Sequence, residues 1–141
     1  MSRAPRSAYD ATSGLIYFAR MCDKIRLNAA GELGPEYQEW TGRGFDGRLC
    51  GFLRVEYPLL KEKVLSGASD EEALAWCEQF FGPIGEMHRQ TWNGFARKRG
   101  WQDPDGGTDN LKRFKDGSGL GDREDIQTFF DYYDADEGRK A

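Results

Sequence analysis

Glycine residues divide this sequence into short segments with helical patterning. Eighteen of the 141 residues are glycine. Several of them, such as Gly31, Gly82 and Gly100, follow runs whose apolar side chains recur every three or four positions, as on one face of a helix. Glycine readily ends a helix because it adopts the left-handed backbone conformation at the C′ position. No run alternates convincingly between apolar and polar residues between hairpin turns. The pattern therefore predicts an all-α fold.

The length of the chain bounds its architecture. A chain of 141 residues is too short for two full domains, but it can build one core that buries about two-thirds of the unfolded surface. We expect a single compact domain over 1–141 with six or seven short helices. Residues 1–11 and 134–141 are predicted to be tails. The alternative for 134–141 is an ion-paired strap, in which its acidic residues pair with arginines of the rest of the domain.

The apolar spacing predicts the individual helices. The clearest one begins at a cap provided by Thr12 or Ser13 and ends at Gly31. Ser69 and Glu72 have the spacing of a capping box at the start of a helix that runs to about residue 81. The other predicted elements are helices at about 46–53, 58–65, 84–99, 109–115 and 122–133, one helical turn near 36–40, and a strand over 49–57 that competes with the helix at 46–53.

The charge balance excludes general nucleic-acid binding. The sequence contains 20 Lys and Arg against 24 Asp and Glu, a formal net charge of −4. Residues 71–141 carry 10 basic and 15 acidic side chains. An acidic surface repels phosphate backbones and gives no nucleic-acid footprint.

Cysteine usage and hydropathy indicate a compartment. No apolar stretch approaches the roughly 20 residues of a membrane span, and no apolar signal segment follows the first residues. Three cysteines without a C-x-x-C motif, together with a single histidine, predict neither a disulfide framework nor a metal site. We therefore expect a cytoplasmic protein with reduced thiols, no metal and no cofactor.

Two groups of basic residues are candidates for binding an anion. Arg43 and Arg48 lie in a glycine-rich stretch before a helix that Asp46 is predicted to cap, and helix N-termini favour anions. Arg20 and Lys24 share one face of the first helix. The alternative for each group is structural: the arginines pair with local acids, or they form a solvated ion network of little energetic weight.

Asp23 and His88 are the candidates for acid–base chemistry. Asp23 lies beside Arg20 and Lys24, and His88 is the only imidazole of the chain. Imidazole titrates near neutral pH and can serve as a general base. The alternative for His88 is a half-buried ring packed against Trp92. No nucleophile motif such as G-x-S-x-G accompanies these residues, so no catalytic residue is assigned.

Four segments of the chain resemble a known family. They are RMCDKIR at 20–26, FDGRLCGFL at 45–53, the SDEEALAWC helix that begins at Ser69, and DADEGR at 134–139. In sequence and in order they are similar to a family of uncharacterised bacterial proteins called domain of unknown function 5069. The resemblance implies a small, helical, cytoplasmic bacterial protein. It carries over no catalytic residue.

The sequence thus favours a non-catalytic module that binds a small anion or a protein partner. The candidate ligand-binding residues are Arg20, Lys24, Arg43 and Arg48. The alternative is a small enzyme that uses acid–base chemistry from Asp23 or His88. A third possibility is a homodimer whose surplus aromatic residues form the interface. Neither a membrane nor nucleic acid in general is an expected partner.

Overall fold

Seven α-helices, one 3₁₀ helix and a two-stranded hairpin make up the computed structural model, which describes residues 2–141. In chain order the elements are β1 (Ala11–Thr12), β2 (Leu15–Ile16), α1 (Phe18–Ala29), the 3₁₀ helix (Pro35–Trp40), α2 (Phe45–Leu53), α3 (Tyr57–Leu65), α4 (Asp70–Phe81), α5 (Glu86–Lys98), α6 (Gly107–Gly117) and α7 (Phe129–Asp136). The fold is therefore mostly α-helical, and the prediction of an all-α fold needs this correction.

Strands β1 and β2 form a hairpin where the sequence predicts the first turn of a helix. Its two-residue loop is Ser13 and Gly14, with φ angles of 48° and 82°. Loops of the type I′ class require positive φ at both positions. The predicted cap at Thr12 or Ser13 is therefore wrong, and α1 begins only at Phe18. Leu15 fits the helical spacing although it lies in a strand, since both patterns require only that its side chain be buried.

The middle of the chain follows the predicted helices within a few residues. The Ser69 capping box is confirmed: Ser69 Oγ accepts from the Glu72 N–H at 3.1 Å, and Glu72 Oε1 accepts from the Ser69 N–H at 2.9 Å. Helix α2 excludes the competing strand over 49–57. The predicted capping role of Asp46 is wrong, because Gly44 is the N-cap of α2 and Asp46 lies in the first turn.

The last helix begins later than predicted. Residues 122–127 contain turns but no helix. Helix α7 starts after Thr128, whose Oγ1 accepts a hydrogen bond from the Asp131 N–H at 3.2 Å. Ile126 is only 1% exposed and reaches the core from a loop. The apolar spacing over 122–133 therefore predicts the buried residues correctly, but the helix that it predicts over the first half of this range is wrong.

Both predicted tails pack against the rest of the molecule. Ala8 is fully buried, and the Arg3 N–H donates to the Glu32 carbonyl at 2.7 Å. At the other end α7 continues to Asp136, and the Glu137 side chain is 3% exposed. For residues 134–141, which we call the C-terminal strap, the tail prediction fails and the alternative of an ion-paired strap agrees with the structure.

The apolar core is continuous and is centred on α1. Helix α1 contacts α3 and α4, while α5 packs against β2 and α7. Most of the deeply buried large side chains are apolar, among them Phe18, Met21, Ile25, Leu49, Leu60 and Phe130. This arrangement leaves one side of α1 facing the 3₁₀ helix, α2 and α7, and the candidate site lies there.

Candidate functional site

A cavity of about 510 Å³ lies where α1, the 3₁₀ helix, α2, α6 and α7 meet. Arg20 and Lys24 reach it from α1, Arg43 reaches it from the loop before α2, and Arg48 reaches it from α2 itself. The four residues predicted from the sequence as anion-binding candidates therefore line one cavity. Its volume lies within the range of roughly 300–1,000 Å³ that is typical of small-molecule sites.

Arg20 is already paired with a carboxylate of the C-terminal strap. Its Nη1 donates to Glu137 Oε1 at 2.8 Å, and its Nη2 donates to Glu137 Oε2 at 2.7 Å. Nη1 also donates to the Arg6 carbonyl at 3.0 Å. The Tyr37 hydroxyl donates to Glu137 Oε2 at 2.7 Å, and Arg139 makes a further ion pair with the same carboxylate. Glu137 thus binds two guanidinium groups and one hydroxyl.

Both members of this pair stay ionised. Burial alone favours the neutral acid, but the hydrogen bonds and charge of Arg20, together with the hydrogen bonds from Arg139 and Tyr37, outweigh burial and hold the pKa of Glu137 below its usual value. Burial also opposes the charge of Arg20, yet the Glu137 hydrogen bonds raise the Arg20 pKa above its usual value. The positive charge of Arg20 is therefore compensated within the protein.

Lys24 is paired in the same way with a buried carboxylate on α2. Its Nζ donates to Asp46 Oδ2 at 2.9 Å and to the Trp40 carbonyl at 3.3 Å. Asp46 is fully buried, and its Oδ2 also accepts from the Gly42 N–H at 3.0 Å. Its Oδ1 accepts from the Tyr17 hydroxyl at 2.6 Å. Asp46 therefore fixes the loop before α2 against α1.

The protonation of this second group follows from its burial. Burial lowers the pKa of Lys24, and the Asp46 carboxylate opposes that effect. Burial and the nearby Asp46 charge raise the pKa of Tyr17 well above its usual value. Tyr17 therefore remains a hydroxyl that donates to the carboxylate throughout the ordinary pH range.

Three other arginines present their charge to the cavity with little or no compensation. Arg43 is exposed and lies over the Trp40 ring, with 5.6 Å between its Cζ and the ring centroid. Arg113 donates to Asn110 Oδ1 at 3.3 Å. Within residues 2–141, neither Arg43 nor Arg113 forms an ion pair. Arg48 lies 3.9 Å from an Asp105 oxygen at a solvent-exposed position, where such a pair contributes little.

Arg99 also lines the cavity but is held by acids of the loop before α6. Its Nη1 lies 2.7 Å from Asp105 Oδ1 and 3.4 Å from Asp103 Oδ2. Its side chain is 12% exposed. Arg99 therefore connects α5 to this loop, and its charge is largely compensated.

Aromatic rings form most of the apolar wall of the cavity. The wall rings are Trp40, Phe45, Phe114, Phe129, Tyr132 and Tyr133. Consecutive rings touch: the centroid separation is 5.7 Å from Trp40 to Phe114, 5.9 Å from Phe114 to Phe129 and 6.2 Å from Phe129 to Tyr133. Phe114 is 36% exposed even though it lies in this wall. The cavity thus combines exposed aromatic surface with uncompensated guanidinium groups.

Sequence reasoning missed several residues of this site. Glu137 binds Arg20 and accepts a hydrogen bond from Tyr37, and α6 contributes Arg113 and Phe114. On the sequence, Arg113 looks like any charged residue on an exposed helix face. Only the alternative of an ion-paired strap pointed to Glu137, since no local pattern specifies a contact between residues 117 positions apart.

Asp23 and His88 do not line the cavity. Asp23 Oδ2 accepts from the Arg6 N–H at 2.9 Å. His88 is exposed, and its Nδ1 accepts from the Gly85 N–H at 3.2 Å. The imidazole packs edge-on against Phe81 with 4.8 Å between ring centroids. The structure therefore gives both residues local structural contacts.

Two features are absent from the described part of the chain. Residues 2–141 contain no group of three or more His, Cys, Asp or Glu side chains arranged to hold a metal ion. None of the helices in the same range combines the length and the apolarity needed to cross a bilayer.

Comparison with known proteins identifies the family. No curated protein matches the sequence. The family profile described as "Domain of unknown function (DUF5069)" matches residues 2–139, which include every residue that lines the cavity. The chain therefore belongs to the family of domain of unknown function 5069.

Proposed function

We propose that the cavity binds a small anionic ligand and that the protein is a binding module rather than a catalyst. The observation that carries the proposal is the contrast between two sets of cations in one cavity. Arg20 and Lys24 are neutralised by Glu137 and Asp46. Arg43 and Arg113 have no carboxylate partner within residues 2–141. An anion would provide the missing partner.

The charge of the cavity lining supports this proposal. Arg20, Lys24 and Arg99 are paired with carboxylates, which leaves Arg43, Arg48 and Arg113 against two further lining acids, Glu36 and Asp136, in a protein whose formal net charge is −4. A local excess of positive charge in a concave, partly desolvated site attracts anions. The four candidates from the sequence then divide into two roles: Arg43 and Arg48 contact the anion together with Arg113, whereas Arg20 and Lys24 build the walls.

The backbone before α2 adds to the favourable environment. No side chain caps the N-terminus of α2, and the N-cap residue Gly44 lines the cavity. The first N–H groups of a helix have no partner within the helix, and the helix dipole favours negative charge there. Arg43 and Arg48 flank this N-terminus, and the negative charge of Asp46 in the first turn of α2 is paired with Lys24.

A binding assay with matched variants tests the proposal. Thermal shift and titration calorimetry are run with inorganic phosphate, acetate and 2-naphthoate. We expect at least one anion to stabilise the wild type, by about 2.7 kcal/mol at a hundredfold excess over its dissociation constant. The double variant Arg43→Ala/Arg113→Ala should lose this stabilisation.

The control removes two cations elsewhere. Arg97 and Lys98 are exposed and lie outside the cavity, so the double variant Arg97→Ala/Lys98→Ala should bind like the wild type. The proposal is wrong if no anion stabilises the wild type at millimolar concentration, or if both double variants bind equally well.

We also propose that the protein acts in the cytoplasm. The three cysteines, Cys22, Cys50 and Cys77, are free and buried. Burial raises the pKa of Cys50 and of Cys77 to about 12, so both remain unreactive thiols. Free thiols are typical of reducing compartments. Fractionation of cells that produce the protein tests this location, and recovery from another compartment would contradict it.

A further inference from the structure

We infer that the ligand of this cavity is an aromatic anion, a flat ring system that carries a carboxylate or phosphate group. The inference rests on the proposed function and adds the chemical class of the ligand. It depends on the aromatic wall and on its position relative to the uncompensated arginines.

The wall leaves apolar surface in contact with water. Phe114 is 36% exposed, and Trp40, whose ring centroid lies 5.7 Å from that of Phe114, is partly exposed. Apolar surface in a concave site is stabilised when a ligand displaces the water from it. Inorganic phosphate or acetate is too small to cover these two adjacent rings. The ligand must therefore have an apolar part as well as a charge.

Of the possible apolar groups, an aromatic ring matches this wall best. The wall rings meet each other at interplanar angles of 42–77°, with Trp40–Phe114 at 67° and Phe114–Phe129 at 73°. Aromatic rings attract one another in such tilted arrangements beyond the effect of buried area, because ring edges are positive and ring faces negative. A saturated ring system of similar carbon number lacks this complementarity and is also thicker.

The arginines place the anionic group at one edge of this wall. Arg43 lies over the Trp40 ring, and Arg113 is adjacent in sequence to Phe114 on α6. Both arginines line the same cavity as the Trp40–Phe114 pair. A ring that covers Trp40 and Phe114 would bring a carboxylate or phosphate substituent to these two cations.

Four probes separate the two parts of the ligand. 2-Naphthoate has both the flat ring and the charge, decahydro-2-naphthoate keeps the charge without aromaticity, 2-naphthalenemethanol keeps the ring without the charge, and acetate keeps only the charge. Calorimetry should give 2-naphthoate a dissociation constant about three- to tenfold lower than its saturated analogue. The alcohol and acetate should each bind at least about tenfold more weakly than 2-naphthoate.

A conservative variant checks that the aromatic wall is responsible. Phe114→Leu keeps an apolar side chain at a partly exposed position, so the fold should persist. It should reduce the preference for 2-naphthoate over decahydro-2-naphthoate towards one. Phe80→Leu is the matched control, because Phe80 is 46% exposed and lies outside the cavity. Equal binding of the two acids by the wild type, or an unchanged preference in Phe114→Leu, would overturn the inference.

The outcomes distinguish this inference from the proposed function. If acetate binds as tightly as 2-naphthoate and Arg43→Ala/Arg113→Ala abolishes binding of both, the aromatic specificity is wrong while anion binding stands. If no anion binds, or if binding of 2-naphthoate survives the loss of both arginines, the proposed function is wrong and the aromatic anion is overturned with it.

Discussion

Arg20 and Glu137 are 117 residues apart in the sequence and form a buried ion pair with two hydrogen bonds of 2.8 and 2.7 Å. Each side chain is only 3% exposed. The pair joins α1 to the C-terminal strap at the wall of the cavity. Because both charges have lost most of their hydration, each one depends on the other for its free energy in the folded state.

Removing Glu137 alone should strongly destabilise the protein. Glu137→Ala leaves the Arg20 guanidinium buried without its carboxylate, which costs about 3–5 kcal/mol of the free energy of unfolding. Replacing both charges, in Arg20→Met/Glu137→Leu, should cost clearly less, since no unpaired charge remains. Urea denaturation measures both values. Glu124→Ala, at an exposed position, provides the control and should change stability by less than about 0.5 kcal/mol. A single variant as stable as the control would contradict the expectation.

The Glu137 carboxylate should also make the stability of the protein depend on pH in the acidic range. The pKa of Glu137 is lower in the folded protein than in the unfolded chain, because burial is outweighed by the hydrogen bonds and charge of Arg20 together with the hydrogen bonds from Arg139 and Tyr37. The unfolded chain therefore binds a proton first as pH falls below the ordinary glutamate value of about 4.3. The stability contribution is complete above that pH and is lost as pH falls through the lower, folded pKa.

Chemical denaturation at several pH values between 3 and 7 tests this dependence. Glu137→Gln removes the titrating group, so its stability should fall less steeply below about pH 4.3 than that of the wild type. Parallel curves for the two proteins would show that other carboxylates carry the acid dependence.

Buried tyrosines should make the protein less stable at alkaline pH. Burial raises the pKa of Tyr17 and of Tyr133 above the ordinary value, so the folded protein keeps protons that the unfolded chain releases above about pH 10. Stability should therefore fall as pH rises beyond that value. Burial lowers the pKa of Lys24. Between this lowered pKa and the ordinary lysine value, Lys24 therefore makes stability rise with pH, which is the opposite of the tyrosine effect.

Tyrosinate absorbance near 295 nm measures this effect directly. The absorbance of the wild type should rise abruptly when the protein unfolds, rather than gradually around pH 10. Tyr133→Phe removes one retained proton and should lessen the loss of stability per pH unit. Smooth titration of all six tyrosines in the folded protein would contradict the expected burial.

The sequence predicts those parts of the fold that depend on local patterns. Ser69 and Glu72 satisfy each other three residues apart, so the start of α4 can be predicted from neighbouring residues alone. The glycine-rich stretch before α2 likewise places Arg43 and Arg48 at a helix N-terminus, and both line the cavity. These features depend on residues that are close together in the chain, so they can be predicted from the sequence.

The features that the sequence does not predict depend on distant partners. Glu137 belongs to the cavity because α7 brings it to Arg20, and no spacing rule connects these positions. The α6 residues Arg113 and Phe114 lie opposite Trp40 for the same kind of reason. The hairpin at 11–16 is missed because its strands have only two residues each, too few for an alternating pattern to be visible.

That hairpin is held by α5, and a single substitution should release it. Asn93 Oδ1 accepts from the Ile16 N–H at 3.0 Å, and its Nδ2 donates to the Gly14 carbonyl at 2.8 Å. Asn93→Ala leaves a backbone group near the buried Ile16 without a partner, which should cost about 1–3 kcal/mol. Hydrogen exchange should then show faster exchange of the Ile16 amide, while the amides of α4 around Leu74 keep their relative protection. Asn28→Ala, which removes an exposed hydrogen bond to Gln38, is the control and should leave Ile16 protected. Unchanged exchange at Ile16 in Asn93→Ala would contradict the expectation. The hairpin would then be held by the Trp92 indole, which donates to the Ile16 carbonyl at 3.0 Å, and by Arg89 Nε, which donates to the Ser13 carbonyl at 2.7 Å.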